Sequence, residues 1–294
     1  MIERMTKSRV IFNIFNYGLI ALFCIVCFAP IWHVAMSSIS DPRMLMMSTG
    51  INWLPVGTIQ WRAYEMVLNN RGIIMGYVNT VIYVTAGTFL GLALTASAGY
   101  VLSCKSKLRS PLMIMLVFTM MFSGGLIPSY MVNMALGLID NRLSIILPGA
   151  TNAFFVIIMK NAFEQLPESF AESAKLDGAG PLKILVKILL PMVKATVAVL
   201  ALFMIMMRWN SWFHEAIYLS RSRDLWPLQL VMREILVQRD VTTVTAGEAA
   251  AMANLMVEPI RHAVTIAGTL PVLFVYPFVQ KYFVHGITLG GVKG

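Results

Sequence analysis

The stretch EQLPESFAESAKLDGAGPLKILVKILLP, Glu164 to Pro191, is charged and punctuated by proline and glycine, and an apolar run flanks it on each side. Pro167 followed by Glu168 and Glu172, then Lys175 and Gly178, is the start-and-stop grammar of a short helix. Proline suits the first turn because its missing N–H would have no partner there. Acids favour the positive end, and glycine takes the left-handed turn that ends the helix. Pro181 marks a second start, for a short helix through Lys183, Leu185, Val186 and Ile188 before Pro191 opens the next apolar run. The segment reads as a helix-turn-helix elbow. Helices of about ten residues are marginal in water because nucleation is recovered only over greater length, so the elbow must dock. Two surfaces suit it: the inner ends of its own apolar helices together with lipid headgroups, which Lys183, Lys187 and Lys194 would meet, or a groove on a cytoplasmic partner.

Working outward from the elbow, six apolar runs cover about 11–36, 76–103, 110–127, 143–163, 192–210 and 260–283. With 58% hydrophobic and only 13% charged residues among 294, the chain is no ordinary soluble domain. Each run approaches the roughly 20 residues that a hydrocarbon core of about 30 Å requires. The expected fold is all-α, a polytopic membrane protein with six transmembrane helices. The run at 11–36 follows Arg4, Lys7 and Arg9; it is too long for a usual signal-peptide core and no small-x-small site closes it, so a retained signal-anchor helix is expected.

All ten lysines, from Lys7 to Lys293, fall on one side if the N-terminus is cytoplasmic, as the positive-inside rule requires. Both termini are then cytoplasmic. The expected layout is a cytoplasmic segment 1–10, a first span 11–36, an extracytoplasmic loop 37–75, a core 76–283 and a cytoplasmic tail 284–294. Within the core the elbow 164–191 is cytoplasmic and the connection 211–259 extracytoplasmic. The net charge of +9 needs no nucleic acid, since basic inner loops face anionic headgroups. Trp53, Trp61 and Tyr64 in the first outer loop suit an interfacial helix.

Between their ends the six runs hold no Asp, Glu, Lys or Arg, and His33 is the main titratable exception. Ion-driven carriers place such costly groups at membrane depth to carry the coupling charge, so transport energy is expected to enter from outside the membrane. No G-x-x-x-x-G-K-[ST] loop exists to cradle a nucleotide, and no Ser/His/Asp grouping or metal-spaced histidine cluster exists to work on a substrate. Catalytic, cofactor and metal residues are therefore expected to be absent. Cys24 and Cys27 lie inside the first apolar run without a second pair, and read as packing residues. Gly87, Gly91, Thr95 and Gly99 put small side chains on one helical stripe, a seam for close approach of another helix.

The run Glu172-Ser173-Ala174, Asp177-Gly178-Ala179 and Ile188-Leu189-Leu190-Pro191 matches E-A-A-x-x-x-G-x9-I-x-L-P at full spacing, with Ser173 in the second alanine slot. It resembles the EAA loop of inner-membrane permease subunits of binding-protein-dependent ABC importers. Asn79-Thr80, Gly99-Tyr100, Gly125-Leu126-Ile127-Pro128, Trp209-Asn210 and the ending from Gln280 to Gly294 are similar to the carbohydrate-uptake, maltose-type branch. Residues 124–141 and the long fifth-to-sixth connection are similar to its complex-oligosaccharide subgroup.

That resemblance implies a type I ABC importer permease fold in a bacterial inner (plasma) membrane. It implies a homologous second permease subunit, a separate cytoplasmic ABC ATPase dimer, and an extracytoplasmic solute-binding protein that delivers a sugar. The elbow would sit in a groove of the ATPase, with Glu172 in polar contact and Gly178 permitting the turn. Ser173, Ala174, Asp177, Ala179, Ile188 and Pro191 complete the coupling segment, and the tail from Gly286 reaches the same interface. For the sugar pathway the residue types available are Tyr130, Asn133, Asn152, Trp209 and Asn210. A permease of this kind for a non-sugar solute, and an ion-coupled secondary carrier, are the rival readings.

Overall fold

The computed structural model describes residues 7–238 and 255–291, and these are helical with connecting loops. The chain divides into two compact units, Met1–Arg71 with Glu234–Leu270, and Gly72–Arg233 with Pro271–Gly294. Arg4, the tail residues Val292 to Gly294 and the middle of the 211–259 connection lie outside the described residues.

In the first unit α1 (Lys7–Ser38) is 32 residues of almost unbroken apolar sequence. Ile11, Phe15 and Phe23 stand 68–71% exposed around its circumference. Such a surface is costly in water and natural in lipid. A polar knot closes its C-terminal end. His33 Nδ1 accepts from the Asn52 N–H at 2.9 Å, Asn52 Nδ2 donates to Ser37 Oγ at 3.1 Å, and Ser38 Oγ meets the Tyr64 hydroxyl at 2.8 Å. The 37–75 connection is accordingly built, not loose: it contains α2 (Pro42–Met47), capped by Asp41, and α3 (Arg62–Leu68). Trp32 Nε1 donates to the Trp53 carbonyl at 2.9 Å, while the rings of Trp53 and Trp61 remain exposed.

The second unit is organised on α4 (Arg71–Ser103), whose buried positions include Gly87, Gly91, Thr95 and Gly99. The small-residue seam has its partner within the chain. A Cβ on Gly91 would lie 2.4 Å from the Ala150 carbonyl oxygen, and one on Gly99 would lie 2.9 Å from Met159 Cγ. Thr95 and Thr151 hydroxyls meet at 2.9 Å. Seam contact thus combines close backbone approach with a side-chain hydrogen bond, the combination that holds helices together in lipid.

Two apolar runs that the sequence presents as continuous are broken. The run 110–127 is helical as α5 (Arg109–Met121), then turns by 113° into α6 (Leu126–Ala135). Gly125 makes the turn at φ +83°, a value that L side chains avoid. The run 143–163 holds a single turn, α7 (Leu143–Ile146), and resumes as α8 (Ala153–Glu164). Pro148 cannot donate a helical hydrogen bond, Gly149 adopts φ +66°, and Asn152 restarts the helix by accepting from Phe154 N. The elbow is made of α9 (Ser169–Leu176), α10 (Pro181–Ile184), a π-helical turn (Leu185–Leu189) and the start of α11 (Leu190–Met192), and the chain then bends by 89° into α12 (Lys194–Trp209). The 211–259 connection contains α13 (Phe213–Tyr218) and α14 (Leu228–Gln238), and the last helix, α15 (Val257–Gly291), starts earlier than expected. Among the described residues α1 and α4 are each long and apolar enough to cross a membrane, and counting each bent pair as one span brings the total to four.

Candidate functional site

Two features of the second unit are candidates for function: the elbow and a cavity. The elbow starts where Pro167 and Glu168 carbonyls accept from Phe170 N and Glu172 N. It closes with two bonds, Gly178 N to Lys175 O at 3.0 Å and Ala179 N to Ala174 O at 2.9 Å. This nested pair is the Schellman arrangement, which needs a left-handed residue between its two donors. Gly178 supplies it at φ +77°. Downstream, the π-helical turn ends just before Pro191, whose missing N–H removes one rung of the ordinary α-helical ladder.

The motif residues divide by direction. Ala174, Ile184, Leu185, Leu189 and Val193 form a core with Phe155, Met159 and Phe163 of α8 and with Leu200 and Met204 of α12; Ala179 and Ile188 pack at its margin. Glu172, Ser173, Asp177 and Pro191 face outward. So do apolar side chains, with Leu176 at 89% and Leu182 at 72% exposure. The inner face of the elbow therefore docks on its own helices, which satisfies the need of such short helices for packing.

Charged contacts fix the adjoining ends. Lys160 Nζ pairs with Glu164 at 2.9 Å, Arg109 pairs with the other oxygen of Glu164, and Lys105 reaches Glu168 at 2.6 Å. The hydrogen bond it donates to Glu168 holds the exposed Lys105 ammonium above its ordinary pKa. Lys160 is 8% exposed, so Glu164→Ala strands a buried ammonium. The expected loss is on the order of 2 kcal/mol, read as a lower thermal midpoint in detergent, whereas Lys105→Ala should leave that midpoint unchanged.

The cavity, about 690 Å³, opens among α4, α6, the 148–152 loop, α12 and α13. Asn133 and Asn152 lie on its lining. Both also serve the backbone, since Asn133 Nδ2 donates to Ser129 O at 2.8 Å and Asn152 caps α8. The other three expected pathway residues stand off the lining. Tyr130 stacks on Tyr218 with centroids 6.3 Å apart, Trp209 faces Tyr77, and Asn210 caps α12 through Met206 O at 2.9 Å.

Two charged residues of the lining escaped the sequence reading. Arg208, in the last turn of α12, lies where a Gly87 Cβ would come within 2.4 Å of its guanidinium, and it reaches the carbonyls of Ile145 at 3.3 Å and Gly149 at 3.5 Å. Glu215 of α13 is 4% exposed and its Oε2 has no partner. An arginine closing an apolar helix resembles a charge complementing the helix dipole, and Glu215 sits in what reads as a polar outer connection. Only the return of α13 over the cavity brings them together. That return is pinned by α4: Asn79 Nδ2 donates to Asp224 O at 2.7 Å and Trp226 O at 3.1 Å, and Thr80 accepts from Leu228 N at 2.8 Å. Arg142 Nη2 in turn donates to Asn79 Oδ1 at 3.0 Å.

Comparison with known proteins gives the same direction throughout. Residues 87–289 match the family described as binding-protein-dependent transport system inner membrane component. The chain is 36% identical over 98% of its length to the polygalacturonan/rhamnogalacturonan transport system permease protein YtcP of Bacillus subtilis (strain 168), all of which is covered. It is 34% identical to protein LplC of the same organism, covering 98% of this chain and 97% of that one. In three dimensions it superimposes with a TM-score of 0.85 and 32% identity on a chain from the crystal structure of a bacterial ABC transporter involved in the import of the acidic polysaccharide alginate, over 96% and 99% of the two chains.

Proposed function

The chain belongs to the family of inner-membrane components of binding-protein-dependent transport systems, and from that premise we propose that it admits oligosaccharides and takes its driving force through the elbow. It is the multi-pass permease subunit of an ABC importer and hydrolyses no ATP itself; a solute-binding protein and an ATPase work with it. The proposal adds the fold's six spans, with both termini cytoplasmic, a homologous second permease, and an oligosaccharide as cargo. The relatives named for polygalacturonan/rhamnogalacturonan and for alginate support that cargo.

One observation carries the coupling role: the elbow is buried on its inner face and exposes Leu176, Leu182 and Glu172 on its outer one. An ATPase that grips this outer face moves the core beneath it, because Ala174, Leu185 and Leu189 are packed directly on α8 and α12. Ser173, Asp177 and Pro191 flank the gripped face, and Ala179 and Ile188 seat it. ATP binding shifts the access equilibrium only as far as the ATPase dimer prefers one elbow position over another. Asn133 and Asn152 lie on the sugar path, and Tyr130, Trp209 and Asn210 support its walls.

The test is uptake of labelled oligosaccharide into proteoliposomes holding the whole importer. Uptake is expected only when ATP, the ATPase and the binding protein are all present. Accumulation driven by an ion gradient without ATP would overturn the reading in favour of a secondary carrier.

A further inference from the structure

The cavity holds a buried carboxylate and a half-buried guanidinium that form no salt bridge with each other among the described residues. Glu215, 4% exposed, keeps Oε2 without a hydrogen-bond partner, and Arg208 forms no ion pair among the described residues. Among the described residues the Arg208 guanidinium reaches two backbone carbonyls by long contacts, at 3.3 and 3.5 Å. Buried charge is costly unless it is paired or hydrogen-bonded. The two charges interact across the cavity without closing into an ion pair among the described residues, which leaves each with hydrogen-bonding capacity for a ligand.

We propose that Arg208 and Glu215 form a saccharide subsite on the translocation path, selective for an acidic sugar. This rests on the oligosaccharide-importer reading and narrows its cargo. An ionised carboxylate is an acceptor only and takes hydrogen bonds from sugar hydroxyls; a guanidinium is a donor only, and its planar fork matches a sugar carboxylate in a bidentate pair. A uronic acid residue offers both kinds of partner on one ring. Arg142, bonded to Asn79 beside the lining residue Thr80 and with Nε lacking a partner, adds a second guanidinium behind the wall. The two guanidiniums outweigh the one carboxylate, which favours an anionic ligand over a neutral one. The close approach at Gly87 is part of the site, because the guanidinium lies in the space that a side chain there would fill.

The test compares trigalacturonate with galactotriose in proteoliposomes holding the complete importer, with trisaccharide binding to the solute-binding protein measured separately. Arg208→Gln should lower the ratio of acidic to neutral uptake about tenfold, the loss of one charge-assisted pair, while Arg208→Lys, which keeps the charge but loses the bidentate fork, should give an intermediate ratio. Glu215→Gln should raise the ratio, because it removes a hydroxyl acceptor needed by both sugars and a negative charge opposing only one. Ser211→Asp, which places a competing carboxylate on the lining three residues from Arg208, should lower the ratio and keeps the test open if Arg208→Gln does not fold. Equal loss of both sugars in Arg208→Gln, or an unchanged ratio in Ser211→Asp, overturns the subsite. Wild-type, ATP-dependent uptake of galactotriose but not trigalacturonate also overturns it and leaves the importer reading standing; ATP-independent uptake of either sugar fails that reading itself.

Discussion

Gly178→Val is expected to abolish coupled uptake while the protein still inserts and keeps its thermal midpoint. Gly178 sits at φ +77°, and a Cβ there would meet nothing within 4 Å. The penalty is therefore conformational and not a clash. A left-handed L residue costs about 1–2 kcal/mol, and more when it is β-branched. That strain falls on a turn closed by two hydrogen bonds, from Gly178 N and Ala179 N. The turn can relieve it by reorienting α9 against α10, an equilibrium shift of roughly five- to thirtyfold. The core from Ala174 to Val193 does not depend on Gly178 for packing, so global stability should be spared. The measurements are ATPase stimulation by the loaded binding protein and sugar uptake, both expected to collapse. Gly178→Asn is the control: asparagine tolerates the left-handed region and should retain most activity. Wild-type uptake by the valine variant would refute the coupling role of the elbow.

Gly91→Val should be the most damaging single change to the fold of the second unit. A Cβ there meets the Ala150 carbonyl oxygen at 2.4 Å and Met204 Sδ at 3.1 Å. Backbone cannot rotate away as a side chain can, so α4 and the 148–152 loop must separate and the Thr95–Thr151 bond, 2.9 Å long, is lost with them. Overpacking of this kind costs about 1–3 kcal/mol for an added methyl or two, and valine adds three carbons. The expected readout is a sharply lowered thermal midpoint and poor recovery from detergent. Gly87→Ala makes a useful contrast, because its Cβ meets the far end of the Arg208 side chain. Arg208 can swing aside, so stability should change little while the lining of the cavity changes. Equal midpoints for Gly91→Val and Gly87→Ala would show that the seam is not set by backbone contact at Ala150.

The elbow was legible because its signals are local. Proline starts, acid and base placement, and a glycine stop all act within one or two turns, and the structure has α9, the Gly178 turn and α10 where that grammar puts them. The seam on α4 was legible as a stripe but not as a contact, since periodicity names a face and not its partner. The breaks at Gly125 and at Pro148-Gly149 were harder to see, because hydropathy averages over the residues that turn the chain. In lipid an apolar side chain is equally suited to a straight helix and a bent one. All five expected pathway residues were chosen by type alone; Asn133 and Asn152 lie on the cavity, where helix ends converge, and Tyr130, Trp209 and Asn210 stand off its lining.

By itself the sequence determined that this chain is built of apolar helices interrupted by one charged elbow, and the spacing from Glu172 to Pro191 identified its kinship. These properties depend on transfer of whole segments into lipid and on turn-by-turn backbone preference, both of which are readable along the chain. Only the tertiary structure decided that Arg208 and Glu215 share a cavity. Their meeting depends on Asn79 and Thr80 holding the 224–228 segment more than 140 residues away, and a hydrogen bond of that reach leaves no periodic trace in the sequence.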